Sequence, residues 1–527
     1  MPSDDVLHLL LARAGTNDPL LPEGLPLAAA DAPEALEMLP NPPHGAGLEG
    51  VPSSTWGVIA PEGPTGDRLL ALADRLIKAR EAEQGRPAPI HRVPPSRGPM
   101  SLADALAWRT KHFDDGAGLG LDRASYQLVL GDLGDVPLAI QQVQSIDGYV
   151  GRLFFADEAG YDAYIDKVLR AQQAPRRGPG RVVLHTAHDG SRALELGLRG
   201  LTAPGEALLR AELAAGRLPA SGIAAFASPS RPGKDVLLDR AAEPEPGVLF
   251  TMSHGLGLPI DGWSSPADQR ARQGAMQLGI ADTLTGDDLG AGPFMTDGLW
   301  FMFACFSAGT PDASVYAHWL ARLVERDGPP RDLRRTLALD APFIASLPQK
   351  VLANPEGPLA FIGHVDLAWT HSFRDDSDPE ASRAGRFMRV LGSALAGDPV
   401  GVAFQRLTQL VREADTALLS LDARDVPTPI LQDPAALERR RALLWMQRQD
   451  LGGFVLLGDP AVVLPVDPSR GNAPAPSDRL EHAIFEALLA EKPLAQIAEA
   501  HGIDPAALDA LAARYRQAGR RAIGIDR

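Results

Sequence analysis

The feature that most constrains this chain is a series of short apolar runs separated by amphipathic stretches. Six runs of strand length occupy residues 181–185, 223–227, 247–253, 298–304, 359–364 and 453–458. Most are apolar throughout rather than alternating, which is typical of strands that helices cover on both faces. Stretches with helical periodicity lie between them, around 192–216, 313–326, 380–396 and 400–423. The order predicts an α/β fold with a mostly parallel sheet sandwiched by helices.

A smaller unit of the same kind comes earlier in the chain. Its expected strands are 56–60, 89–93 and 126–132, its expected helices are 66–82 and 101–113, and a strand and a helix within 151–173 follow. A Pro- and Gly-rich segment at 174–180 marks a boundary. We therefore predict five parts: a loop-rich N-terminal arm with a short helical start (1–54), a small α/β subdomain (55–175), the main α/β domain (176–467), a linker (468–479) and a helical C-terminal domain (480–527).

Composition excludes several functions. The formal net charge of -16 argues against a general affinity for nucleic acid or for anionic membranes. The single cysteine cannot form an internal disulfide, and Asp4 and Asp5 stand where a secretory signal would carry positive charge. No apolar stretch reaches the roughly 18 residues of a membrane span. These features lead us to expect a cytoplasmic protein.

Two of the six apolar runs end in reactive residues. Run 247–253 leads into His254 and Gly255, and run 298–304 leads into Cys305, the only cysteine. Neighbouring parallel strands lie about 4.8 Å apart, so we expect the thiol and the imidazole to come within reach of each other. An imidazole beside a thiol can take its proton and give a nucleophilic thiolate. The backbone N–H groups of Gly255 and Cys305 are candidates for holding an oxyanion, whereas the plainer alternative is that Cys305 is a packed hydrophobic residue.

An apolar strand followed by His-Gly, then another followed by Ala-Cys, resembles the caspase, gingipain, legumain and separase group of cysteine peptidases. The likeness is greatest to the gingipain-like branch. It rests on YQLVLGDLGDVP from residue 126, the Gly-Arg pair at 151–152, FMFACFSAGTPD around the cysteine, LAFIGHVDLAWTHSF from residue 359 and FVLLGDPAVVLP from residue 454. It covers residues from about 55 to 466. The resemblance implies a caspase-like catalytic domain over 176–467 and a cysteine endopeptidase that needs no cofactor and uses Cys305 and His254.

Other residues are weaker candidates. Asp189 follows the first strand of the main domain, where it could orient His254, bind a basic substrate side chain or simply cap a loop. Asp366 and Trp369 follow the strand after Cys305, where the resembled peptidases build the wall of their substrate pocket. Core packing is the alternative for Trp369. His185 and His188 lack further ligands, so no metal site is expected.

The C-terminal domain has the helix, glycine turn, helix layout of a helix-turn-helix, with four arginines near its end. On so acidic a chain these arginines favour a solvated face, and we expect a regulatory protein partner there rather than nucleic acid. Three hypotheses remain: an active endopeptidase acting on protein or peptide substrates, a catalytically silent adaptor with a caspase-like fold, and a helix-turn-helix regulator with a ligand-sensing body. The net charge suggests Lys or Arg before the cleaved bond.

Overall fold

The computed structural model describes residues 6–26, 55–95, 98–113, 124–146, 148–226, 233–279, 282–289, 292–321, 341–373, 383–422, 434–468 and 504–506. The strands are β1 (Val6–Leu7), β2 (Leu11–Arg13), β3 (Leu25–Pro26), β4 (Trp56–Pro61), β5 (Ile90–Val93), β6 (Tyr126–Leu130), β7 (Tyr149–Leu153), β8 (Gly180–Thr186), β9 (Ala220–Phe226), β10 (Gly247–Met252), β11 (His254–Gly257), β12 (Met276–Gly279), β13 (Asp282–Leu284), β14 (Leu299–Phe303), β15 (Gly309–Thr310), β16 (Phe343–Ile344), β17 (Ala360–His364) and β18 (Phe454–Leu457).

The α-helices are α1 (Pro64–Gln84), α2 (Leu102–Phe113), α3 (Leu138–Gln144), α4 (Glu158–Gln173), α5 (Arg192–Gly197), α6 (Ala203–Ala214), α7 (Lys234–Ala241), α8 (Pro266–Arg272), α9 (Ser346–Ala353), α10 (Ala384–Leu395), α11 (Val400–Asp422) and α12 (Pro434–Gly452). A π-helical turn, Leu198–Thr202, joins α5 to α6. Several helices begin where the sequence supplies a cap. The Asp157 carboxylate, for example, accepts the Gly160 N–H at the start of α4.

Ten strands form one sheet in the order β5-β4-β6-β7-β18-β17-β14-β10-β8-β9. Within the described residues, only the β17–β18 pair of this sheet is antiparallel. The sheet therefore consists of two parallel halves that run in opposite directions and meet at β17 and β18. The carboxyl ends of β8, β10, β14 and β17 share one edge, which is the edge that carries His254 and Cys305.

Helices cover both faces of this sheet. In its first half Val58 and Leu128 face the large core with α1 and α4, whereas their neighbours Ile59 and Val129 face a second core with α2 and α3. Because successive side chains of a strand point to opposite faces, burial of both sets requires cover on both sides. The predicted α/β architecture, a mostly parallel sheet between helices, is confirmed.

The six apolar runs of the main domain are the strands β8, β9, β10, β14, β17 and β18, as predicted. The subdomain and the main domain contribute to the same sheet, joined where β18 pairs with β7. The predicted helix at 313–326 lies partly outside the described residues, and within them residues 317–321 are helical. Apart from residue 468 of the linker and residues 504–506, the linker and the C-terminal domain lie outside the described residues.

The short helix expected at the start of the chain was wrong. Residues 6–13 are extended, and β2 pairs in parallel with β11 in a small sheet of order β13-β12-β11-β2. A short apolar patch does not distinguish a helix from a strand, and here its residues are buried on all sides: Leu9, Leu10, Leu11 and Ala12 are each at most 1% exposed. Tertiary burial has overridden the local preference.

Candidate active site

The two reactive residues lie side by side at the carboxyl edge of the sheet. Strands β10 and β14 pair in parallel with Met252 opposite Phe303, so the register brings positions 254 and 305 to the same level. A Cβ at position 255 would overlap the Cys305 carbonyl oxygen. Glycine at 255 is therefore what allows the two backbones to approach this closely.

The His254 ring is oriented through its Nε2 atom. Nε2 lies 2.9 Å from the Ser191 hydroxyl oxygen and 3.3 Å from Asp189 Oδ2, and all three side chains are buried. Asp189 also accepts hydrogen bonds from the Ser191 backbone N–H at 2.8 Å and from the Gln277 side-chain amide at 3.3 Å. Asp189 thus contacts His254 instead of facing an open pocket.

Electrostatics support an ionised carboxylate beside the ring. Burial raises the pKa of Asp189, but its hydrogen bond and charge interaction with His254 and its hydrogen bonds from Ser191 outweigh burial, so the pKa is below its ordinary value. A carboxylate favours the tautomer with its proton on Nε2. Nδ1 then carries the lone pair, and it has no hydrogen-bond partner among the described residues. That nitrogen is available to accept a proton.

The Cys305 thiol faces a different partner. Sγ accepts the Ala368 N–H at 3.1 Å and lies 3.5 Å from the Ala368 carbonyl oxygen, and the side chain is fully buried. Burial raises the pKa of Cys305 well above its ordinary value, with the nearby carboxylates Asp450 and Asp366 acting in the same direction. The thiol is therefore protonated near neutral pH. Within the described part of the chain no hydrogen bond joins Sγ to the His254 ring.

Two backbone donors converge beside this thiol. The Gly255 N–H and the Cys305 N–H donate to one oxygen, the carbonyl of Leu10, at 2.9 and 3.3 Å. These are the two groups expected from the sequence to form an oxyanion site. Paired N–H groups aimed at a single oxygen are the arrangement that stabilises the oxyanion of acyl transfer.

The residues after β17 form one wall of the site. The Asp366 carboxylate accepts the Leu367 and Val315 N–H groups at 2.7 and 3.0 Å, and burial raises its pKa to about 6. Its φ of 116° is unusual for a residue other than glycine. Asp366 therefore shapes the loop, with both carboxylate oxygens in use. The Trp369 ring packs against Tyr316 and Trp319, and the Trp369 backbone N–H donates to Asp450 Oδ1 at 2.9 Å.

Four residues of the site were missed from the sequence: Leu10, Ser191, Ala368 and Asp450. Ser191 carried a usable signal, because Asp-Gly-Ser before a helix is typical of a cap, and its hydroxyl does cap α5. Leu10 and Ala368 contribute through backbone atoms, which no residue pattern specifies. Among the described residues no cluster of three or more His, Cys, Asp or Glu could hold a metal ion. None of the described helices has both the length and the apolar character needed to span a membrane.

No family model matches the chain, and no curated protein does. One solved structure described as a protease is similar at 12% identity, with a TM-score of 0.46 over 79% of each chain. The complex of Porphyromonas gingivalis RgpB pro- and mature domains is similar at 11% identity, with a TM-score of 0.41 over 78% of this chain and 79% of that one. Both similarities are low, and the function proposed below rests on the site itself.

Proposed function

We propose that this protein is a cysteine endopeptidase with Cys305 as nucleophile and His254 as general base. The observation that carries the proposal is the convergence of the Gly255 and Cys305 N–H groups on a single peptide carbonyl oxygen. Two donors directed at one peptide carbonyl oxygen, one of them the N–H of the only cysteine in the chain, are what attack of that thiol on a substrate carbonyl would require, and this supports the proposal.

Each residue then has a defined role. The Cys305 thiol gives its proton to His254 Nδ1, Sγ bonds the carbonyl carbon, and the Gly255 and Cys305 N–H groups hold the oxyanion. The imidazolium returns the proton to the leaving amine as the C–N bond breaks, leaving a thioester. Water adds to the thioester with His254 as base, and Sγ leaves with its proton restored. Asp189 and Ser191 hold the ring through Nε2.

The reaction requires a movement of the thiol. Sγ is bonded to Ala368, so reaching Nδ1 involves rotation about the Cα–Cβ bond to another staggered position. Contact with the imidazole would then favour the thiolate that burial now disfavours. We place this chemistry inside the cell, because the chain relies on one free thiol. A regulatory partner of the C-terminal domain is part of the same proposal.

The buried, protonated thiol favours a second candidate, the catalytically silent adaptor. Iodoacetamide labelling followed by peptide mass mapping separates the two. A peptidase gives modification of Cys305 that falls at least tenfold in His254→Ala, and Cys305→Ala abolishes cleavage of a peptide library while thermal stability changes little. Labelling that is the same with and without His254, or full cleavage by Cys305→Ala, would refute the peptidase.

A further inference from the structure

An extended piece of this chain runs through the candidate site. Residues 8–10 pair with residues 368–370. The Leu10 N–H donates to the Ala368 carbonyl at 3.0 Å, and the Thr370 N–H donates to the His8 carbonyl at 3.0 Å. Leu9 forms an antiparallel bridge with Trp369. Leu11, Ala12 and Arg13 pair in parallel with residues 255–257. The segment His8–Arg13 therefore adds a strand to both walls of the site, a mode in which proteins bind extended peptides.

Leu10 is the residue of this segment that lies at the chemistry. Its carbonyl oxygen accepts both oxyanion donors, and its N–H donates to the same Ala368 carbonyl that Sγ approaches at 3.5 Å. A hydrogen bond from the Leu10 backbone also acts to lower the pKa of the Cys305 thiol, against the larger effect of burial. These contacts place the Leu10–Leu11 peptide bond next to Cys305. The Leu10 side chain is 0% exposed, so the protein around it accommodates leucine completely.

We propose that His8–Arg13 occupies the cleft as a peptide substrate does, and that the enzyme accepts leucine immediately before the cleaved bond. The proposal rests on the peptidase function proposed above. This assignment of leucine replaces the Lys or Arg that the net charge suggests before the cleaved bond. While the segment stays in place, it competes with other peptides and keeps Cys305 buried, so the chain reacts more slowly than one from which the segment has been displaced. Cleavage of Leu10–Leu11 would add one water across the C–N bond and release a new N-terminus at Leu11.

One observation points to the competing choice, a basic residue. Asp450 Oδ2 is buried and has no hydrogen-bond partner among the described residues. The other carboxylate oxygen, Oδ1, accepts the Trp369 backbone N–H in the wall of the site. A Lys or Arg side chain could bind Oδ2. The Asp366 carboxylate is a poorer candidate for binding a basic side chain, since both of its oxygens accept backbone N–H groups. The experiment must therefore compare leucine directly with arginine.

The test uses the full chain and irreversible peptidyl ketones of sequence acetyl-Leu-His-Leu-X, with X as Leu, Arg or Asp, after the residues that precede Leu10. The rate of Cys305 modification is measured by intact mass in the parent, in Leu10→Gly, which weakens docking of the segment, and in Leu10→Met, which keeps the side-chain volume. We expect the leucine probe to react at least tenfold faster than the other two. We expect Leu10→Gly to react at least tenfold faster than the parent, and Leu10→Met to resemble the parent.

The possible outcomes distinguish failure of the leucine assignment from failure of the proposed peptidase function. Preference for the arginine probe, with modification still dependent on His254, would leave a peptidase and overturn the assignment of leucine. Equal rates in the parent and in folded Leu10→Gly would overturn occupation of the cleft. No modification of folded Leu10→Gly by any probe would overturn the peptidase itself. If Leu10→Gly does not fold, the selectivity of the parent among the three probes decides the assignment of leucine.

Discussion

The role of Asp189 gives the sharpest prediction, tested with Asp189→Asn. The substitution keeps the shape of the side chain and removes the charge that lies 3.3 Å from His254 Nε2. The Asp189 side chain is 1% exposed and accepts hydrogen bonds from Ser191 and Gln277, so the side chain at 189 should stay in place. A hydrogen bond to a charged group contributes about 1.5–3 kcal/mol, which corresponds to a loss of about 10- to 150-fold in kcat/KM.

We expect the loss to fall on kcat, because the carboxylate stabilises the imidazolium that forms only as the thiol gives up its proton. The assay is cleavage of a fluorogenic peptide, with Asp166→Asn as the matched control. Asp166 makes a surface ion pair with Arg75, and its loss should leave kcat/KM unchanged. A kcat/KM for Asp189→Asn within twofold of the parent would refute the orienting role.

Asp189 should also make the free energy of unfolding depend on pH. Because the pKa of Asp189 is below its usual 3.8 in the folded protein, its carboxylate stabilises the fold above about pH 4, and this contribution is lost as the pH falls further. The difference in unfolding free energy between the parent and Asp189→Asn should therefore shrink between pH 6 and pH 3. A difference that is constant over this range would show that the interaction with His254 does not favour the ionised form.

Three further predictions concern other parts of the molecule. Gly255→Ala places a methyl group against the Cys305 carbonyl, so we expect a lower melting temperature and a loss of about 100-fold or more in kcat, checked by calorimetry and kinetics. Burial lowers the pKa of Lys167 to about 7, so between pH 7 and 10 the unfolded chain binds more protons than the folded one. The free energy of unfolding, measured with urea, should therefore rise with pH over this range, and it should rise less in Lys167→Met. Asp459→Ala leaves Arg80 buried without its 2.7 Å partner and should cost about 3–5 kcal/mol in urea unfolding, whereas a cost below 1 kcal/mol would contradict the pairing.

The sequence predicted well those elements whose pattern is local. Each of the six apolar runs became a strand of the sheet, because a continuous apolar run of that length is satisfied by burial between helices whatever its neighbours are. The pairing of β10 with β14 also followed from chain order, and it brings positions 254 and 305 to one edge. Because both positions follow directly on these strands, the sequence also indicated the Gly255 and Cys305 N–H groups as candidates for holding an oxyanion.

Side-chain direction and long-range contacts depended on the tertiary structure. The thiol contacts Ala368, 63 positions away in the chain. The imidazole contacts Ser191 and Asp189, which are 63 and 65 positions away, and no sequence spacing rule covers such separations. The N-terminal segment shows the limit best. A short helix was expected there, yet its apolar residues are buried as an extended segment, because the Gly255 and Cys305 N–H groups and the Ala368 carbonyl form hydrogen bonds with Leu10.

The chain by itself thus determined the α/β class, the strands and the edge that carries the only thiol, because periodicity and apolar length are properties of neighbouring residues. Only the tertiary structure decided that the two strand blocks run in opposite directions, that Asp189 contacts His254, and that the Leu10 carbonyl meets the Gly255 and Cys305 N–H groups. Those features depend on backbone hydrogen bonds between segments far apart in sequence. Every residue has the same backbone groups, so residue identity cannot specify which of them will meet.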